Sequence, residues 1–432
     1  MRSLRFPRIA MAPVFAIGLA LGLSDEPARA GEAAPPSRVA FEAGKAHRRA
    51  GAVREALVEL RRASQLVGAD RELAIRIHYE LARTSIDRRE FAQAMTECRV
   101  LGLKPGGKAL GHACAAEANL LRRRASEALE EIKRAQALEP RLYEAKVAEG
   151  RARLLELRDK DAEALLREAI TLAGSQPATE AWLALADLHA LFGRTEAALA
   201  DSREALKADG GSPDARYRIG RLLPPGPEAL SHLEAALVGR PSFGEALARL
   251  AEVQIALGQL EAARGSAQRA LKGDPSDASM RVVVGRVALA EGKADVAQLE
   301  AKAALSILPN LAAAKLLAAD AYVKQREIDL AIESYQVAFG LDRSDPAPLI
   351  RASDACRAQG RETTARAFAE RATRDFPEWG PAWVALGDAF VAQKDATQAK
   401  AAYEQALKVK GLSDAADVRR RIEKLTASPR TL

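Results

Sequence analysis

The sequence predicts an all-α solenoid of paired antiparallel helices, and three observations carry that prediction. Aromatic residues supply only 4% of the 432 residues while Ala, Leu, Arg and Glu dominate, a composition rich in helix formers and poor in strand formers. Prolines at 241, 275 and 309 recur at a constant step of 34 residues. Aligned on that step, the chain divides into eleven windows whose equivalent positions are small, and a period of that length marks a repeat architecture. With 48% apolar and 28% charged residues, the chain is globular, not disordered.

Residues 1–30 read as a secretory signal peptide. Arg2, Arg5 and Arg8 form a basic start, Ile9 to Leu23 an apolar run, and Ala28-Arg29-Ala30 a small-x-small cleavage site. A membrane anchor is the competing reading, but a bilayer needs about 20 apolar residues, and this shorter run also contains Pro13. The mature chain is therefore expected to start at Gly31, to carry no transmembrane segment, and to work in the periplasm or outside the cell. Residues 31–36 (GEAAPP) are expected to form a flexible linker.

Windows starting at 37, 75, 109, 143 and 179 make repeats 1–5 (37–212). A shortened repeat 6 spans 213–243, and windows at 244, 278, 312, 346 and 380 make repeats 7–11 (244–413). The eighth position is always small, as in Gly44, Ala82, Gly150, Gly285 and Gly387. The twentieth is alanine in every window, including Ala56, Ala94, Ala263, Ala297, Ala331 and Ala399. The twenty-seventh is alanine except at Leu101. Each window carries two amphipathic segments, such as 383–393 and 396–409, with apolar residues three and four apart. Small side chains at positions eight and twenty let the two axes approach closely, and larger residues such as Trp383 and Tyr335 fill the space around them. In repeat 6, Leu222-Leu223-Pro224-Pro225-Gly226-Pro227 ends the first helix early, which leaves a hinge and an ordinary shortened turn as the two readings. Residues 414–432 supply a polar capping helix (414–427) and a tail, as the end of a helical solenoid requires.

Small at eight, alanine at twenty and twenty-seven, and proline at thirty-two: this pattern resembles the tetratricopeptide repeat. The clearest copy is Trp383-x-x-Leu386-Gly387-x-x-Phe390 with Ala399, Tyr403 and Ala406; it departs at Gly411, where proline is usual. The resemblance covers 37–413, although most copies lack the aromatic positions. It implies a right-handed superhelix whose concave face binds another protein or a peptide segment. That face is lined by the second, fifth, ninth, twelfth and thirteenth residues of each first helix.

Catalytic and metal constellations are absent from the pattern, so neither an enzyme nor a cofactor is expected. Gly102-x-x-x-x-Gly107-Lys108 imitates a phosphate-binding loop, but Ala109 replaces the hydroxyl residue and a helix, not a strand, precedes it. His47, His78, His112 and His189 occupy packing positions, so no metal site is expected. Cys98 and Cys114 fall on helices that pack together in this architecture, leaving a disulfide and a pair of buried thiols as alternatives. Cys356 stands alone.

The groove positions carry the expected function. In repeat 1 they hold Arg38, Phe41, Lys45, Arg48 and Arg49, and in repeat 2 Arg76, Tyr79 and Arg83. Basic residues beside aromatics suit an anionic or carboxylate-bearing partner; solvated charged faces are the plainer reading. At position nine, Arg151, Arg221 and Arg286 alternate with Asp187 and Glu252, and Asp320, Asp354 and Asp388 occupy the last three repeats. Tyr217 lines the same face in repeat 6. Residues 31–142 hold 21 Lys and Arg against 15 Asp and Glu, whereas 143–432 hold 40 against 41, so the basic excess is local to the first repeats. Asparagines occur only at 119 and 310, outside the positions that grip a chaperone carboxylate in some members of the family. Nucleic acid is disfavoured by the export signal and by the absence of basic runs longer than three. The expectation is a non-enzymatic adaptor in a bacterial cell-envelope complex. The alternative is an accessory factor for polysaccharide synthesis or secretion that holds an anionic glycan.

Overall fold

The computed structural model describes residues 34–409, 412 and 414–427. The signal peptide expected at 1–30, linker residues 31–33, Gly411 and the tail 428–432 lie outside the described residues. Among the described residues there are 23 helices and no strand, arranged as eleven helix pairs closed by Ala415–Ala427. Repeat 1 pairs Pro36–Arg49 with Val53–Leu66, repeat 2 pairs Arg71–Asp87 with Phe91–Leu103, and repeat 11 pairs Gly380–Ala392 with Ala396–Lys408. The two helices of each repeat pack on one another, and the second also packs on the first helix that follows it. The core is therefore a chain of small clusters, not a single centre.

Several boundaries differ from the sequence reading, two of them in the first two repeats. Pro36 is in the first turn of the first helix, where its missing N–H would be unpaired in any case; the linker ends one residue earlier than expected. The first helix of repeat 2 begins four residues before its window. Asp70 accepts a hydrogen bond from the Leu73 amide at 3.0 Å, and this N-cap supports the extra turn.

The repeated small residues sit where the helices touch. The position-twenty alanines, Ala56, Ala94, Ala263, Ala297, Ala331 and Ala399 among them, have no exposed surface. At position eight, a Cβ on Gly44 or Gly150 would stand 2.6 Å from Cγ of Leu60 or Leu166. Those leucines come from the second helix of the same repeat. Gly387 is filled in the same way by the ring of Tyr403, and Gly285 by Leu317 of the next repeat. Glycine is thus the space that a larger residue occupies.

Repeat 6 shortens without opening a gap. Its first helix ends at Leu222, and Pro227 starts the second. Ile219, Leu223, Leu233, Phe243, Leu247 and Met280 belong to one continuous apolar cluster that runs from repeat 6 into repeat 8. Arg249 of repeat 7 also donates to the Leu223 carbonyl at 3.1 Å. The hinge reading therefore finds no break in the packing.

The superhelix returns on itself. Arg49, at the end of the first helix of repeat 1, pairs with Asp209 at 3.1 Å, and Arg240 Nε donates to the Arg49 carbonyl at 3.3 Å across 191 residues. Repeat 1 thereby rests against the ends of repeats 5 and 6.

Candidate functional site

The concave positions meet in a groove, but few of them are free. Phe41 is a correction: only 4% exposed, it packs with Leu57, Leu60, Leu73 and Ile77 and is unavailable to a partner. Burying a phenyl ring gains about 1.5–3 kcal/mol, and the first repeat offers the space. Lys45 lies over that ring and pairs with Glu42 at 3.3 Å. Arg48 is held by Glu80 and Asp87 at 3.2 and 2.9 Å, Arg49 by Asp209, and Arg76 by its helix neighbour Glu72. Arg38 is exposed. The basic patch read from sequence is in large part neutralised by carboxylates from neighbouring elements.

Position nine forms a ladder across successive repeats. Arg151 faces Glu117 at 3.8 Å, Arg221 faces Asp187 at 3.7 Å, and Arg286 faces Glu252 at 2.6 Å. The acidic end is also matched. Tyr335 and Arg351 donate to Asp320, and Tyr403 and Arg421 donate to Asp388. Among the described residues Asp354 pairs only with Arg357, an exposed pair one helical turn away at 3.2 Å, an arrangement that contributes little. Tyr217 packs against Phe243 with centroids 4.8 Å apart and the rings tilted by 53°, and Arg221 lies over the Tyr217 ring.

The densest part of the groove lies between repeats 2 and 5. Arg83 reaches Glu180 at 2.5 Å, a contact spanning 97 residues, and Arg151 holds the other carboxylate oxygen at 2.8 Å. Arg83 lies over Tyr79, and the Tyr143 hydroxyl accepts from the Ala181 amide at 3.2 Å. These groups, with Glu117 and Glu144, enclose a cavity of about 30 Å³, room for one or two waters. Burial pushes the Glu180 carboxyl upward, but Arg83 and Arg151 outweigh it and hold the group well below the usual carboxylate range. Burial instead raises Glu144 and pushes Tyr143 up to about 12.

Glu80, Asp87, Glu117, Glu180 and Tyr143 escaped the sequence reading as groove partners. Glu117 and Glu180 fall on groove positions nine and two, so their signal was present; which arginine they meet was not. Three of the five histidines bridge helices: His78 to Glu97 at 3.0 Å, His112 to Glu131 at 2.7 Å and His189 to Asp201 at 2.6 Å. Among the described residues no group of three His, Cys, Asp or Glu suits a metal ion. Cys98 and Cys114 are joined by a disulfide with Cα atoms 5.5 Å apart, and Cys356 is buried and free. Trp383 donates from its indole nitrogen to the Pro377 carbonyl at 2.8 Å. No described helix is long and apolar enough to cross a membrane.

Comparison with known proteins follows the geometry. Three tetratricopeptide-repeat family profiles match the chain, one at 160–213 and 316–378, one at 227–283 and one at 380–411. Among solved structures, yeast Tom70 superposes with a TM-score of 0.51 at 13% identity, covering 91% of this chain and 96% of its own. A tetratricopeptide repeat protein of Parabacteroides merdae gives 0.42 at 15% identity, covering 66% and 98%. A thermophilic one of Thermus thermophilus gives 0.38 at 20% identity, covering 43% and 99%. The Tom70 likeness extends to fold alone. Among curated proteins none matches this sequence.

Proposed function

This chain is a tetratricopeptide repeat protein, and from that premise we propose that it is a non-enzymatic adaptor of a bacterial cell envelope, exported and then bound to a partner protein through its concave groove. Repeats of this kind suggest a protein–protein interaction scaffold. The observation that carries the reading is the position-nine ladder, which presents charges of both signs in register along one face. Ordered alternating charge suits a polypeptide segment with its own charge pattern better than a uniformly anionic polymer. Pairing of Arg48 with Glu80 and Asp87 also leaves less free positive charge in the first repeats for an acidic glycan. Export rests on the basic start, apolar run and Ala28-Arg29-Ala30 site.

The test is a pull-down from cell-envelope extract with the exported chain as bait. A stoichiometric protein partner, lost or weakened about tenfold when Arg286→Glu places like charge beside Glu252, is the expected result. Retention only on anionic polysaccharide would instead favour the glycan-handling reading. Intact mass of the exported protein checks the compartment, and a mass that includes Met1 to Ala30 overturns cleavage.

A further inference from the structure

Between repeats 2 and 5 the groove is crossed by its own side chains. Arg83, on the first helix of repeat 2 (Arg71–Asp87), and Arg151, on that of repeat 4 (Tyr143–Leu155), each take one oxygen of Glu180. Glu180 comes from the first turn of Thr179–Leu191 in repeat 5. Two guanidiniums converging on a single carboxylate form an anion-binding fork, and here the anion is supplied by the chain itself. Three features mark Glu180 as the removable member. Its side chain keeps 36% of its surface exposed, against 17% for Arg83. Arg83 Nε is buried with no hydrogen-bond partner among the described residues, so Glu180 does not exhaust the fork. Tyr79 and Tyr143 line the same cavity, and their rings supply apolar walls for a chain segment.

We propose that Glu180 is a built-in competitor that latches the groove shut across repeats 2 to 5, and that an acidic partner segment engages Arg83 and Arg151 by taking its place as the superhelix opens. The proposal deepens the adaptor reading and rests on it for the partner, but not for the latch. In a solenoid each repeat contacts mainly its neighbours, so small rotations per repeat accumulate into large changes of curvature. A cross-groove cluster can therefore hold several repeats closed, here beside the Arg49–Asp209 contact between repeats 1 and 5.

Glu180→Gln removes the charge and keeps the shape. Spin labels at Arg99→Cys and Ala200→Cys, on exposed positions of the second helices of repeats 2 and 5, report the opening without any partner. The interlabel distance is expected to lengthen and broaden in the Glu180→Gln protein. Fluorescent hexaglutamate then probes the fork by anisotropy. Its affinity is expected to rise about tenfold once the internal carboxylate is neutralised. A second variant, Arg83→Gln with Glu180→Gln, opens the groove in the same way and is expected to lose that gain. Unchanged interlabel distance overturns the latch. An opened groove that takes up hexaglutamate no more tightly overturns the competitor role. Neither result touches the adaptor reading, which fails separately if envelope pull-down returns no protein.

Discussion

Leu157 occupies the left-handed region at φ +58°, with 65% of its surface exposed. It stands at position fifteen, the turn between the two helices of a repeat. Gly51, Gly193, Gly258, Gly292 and Gly360 fill the same place in other repeats, while Arg89, Arg123, Arg326 and Lys394 share the strained conformation with Leu157. A left-handed backbone disfavours any residue with a Cβ by about 1–2 kcal/mol, and glycine recovers this at some entropic loss in the unfolded chain. Leu157→Gly should therefore stabilise the protein by about 0.5–1 kcal/mol, read as a higher urea midpoint. Equal or lower stability would mean that the exposed leucine makes a contact worth more than the strain. The turn's position was legible in the sequence through its glycines. That five side chains also adopt it was not, because local propensity alone argues against them.

Within the helical elements, the contact between repeats 2 and 3 departs from the common pattern. The helices Phe91–Leu103 and Lys108–Leu121 touch backbone to backbone, since a Cβ on Gly111 would stand 2.8 Å from the Gly102 Cα. The Cys98–Cys114 disulfide spans the same contact and closes a loop with a sequence separation of 16. A loop of that size gives a stabilisation of about 3 kcal/mol in the chain-entropy account. Reduction, or Cys98→Ser with Cys114→Ser, should lower stability by about 2–3 kcal/mol, measured by chemical denaturation with and without reductant. No difference would show that the two glycines alone hold the helices together. The sequence left the bond and free thiols as alternatives, with buried thiols the plainer reading, and the structure shows the bond. The separation of two helix axes, which decides between them, is a tertiary quantity.

Across the whole molecule, the cross-groove cluster should make folding stability depend on pH. Glu180 faces Arg83 and Arg151, with Glu117, Glu144, Tyr79 and Tyr143 around it. Its folded pKa lies below the ordinary carboxylate value. Its contribution is therefore complete above about pH 5 and is lost as acid protonates it. Glu144 is shifted the other way by burial, so its protonation favours the folded state and partly offsets the loss. The stability gap between the native chain and the Glu180→Gln variant should accordingly narrow as pH falls from about 6 to 3. A gap independent of pH would show that Glu180 acts through packing and not charge.

Repeat number, helix pairing and the buried alanines followed from sequence alone, because they arise from contacts within a repeat or to the next one. Ala56 and Ala399 could be placed at a helix crossing without knowing where either repeat lies in space. The groove could not be read in that way. Arg83 was recognised as basic and concave, but Glu180 lies 97 residues away, and Arg49 meets Arg240 at a separation of 191. Those meetings are set by the summed twist of the intervening repeats, and no local pattern encodes that sum. Local periodicity determined what the protein is built from; only the accumulated curvature decided which charges neutralise one another and where the groove is closed.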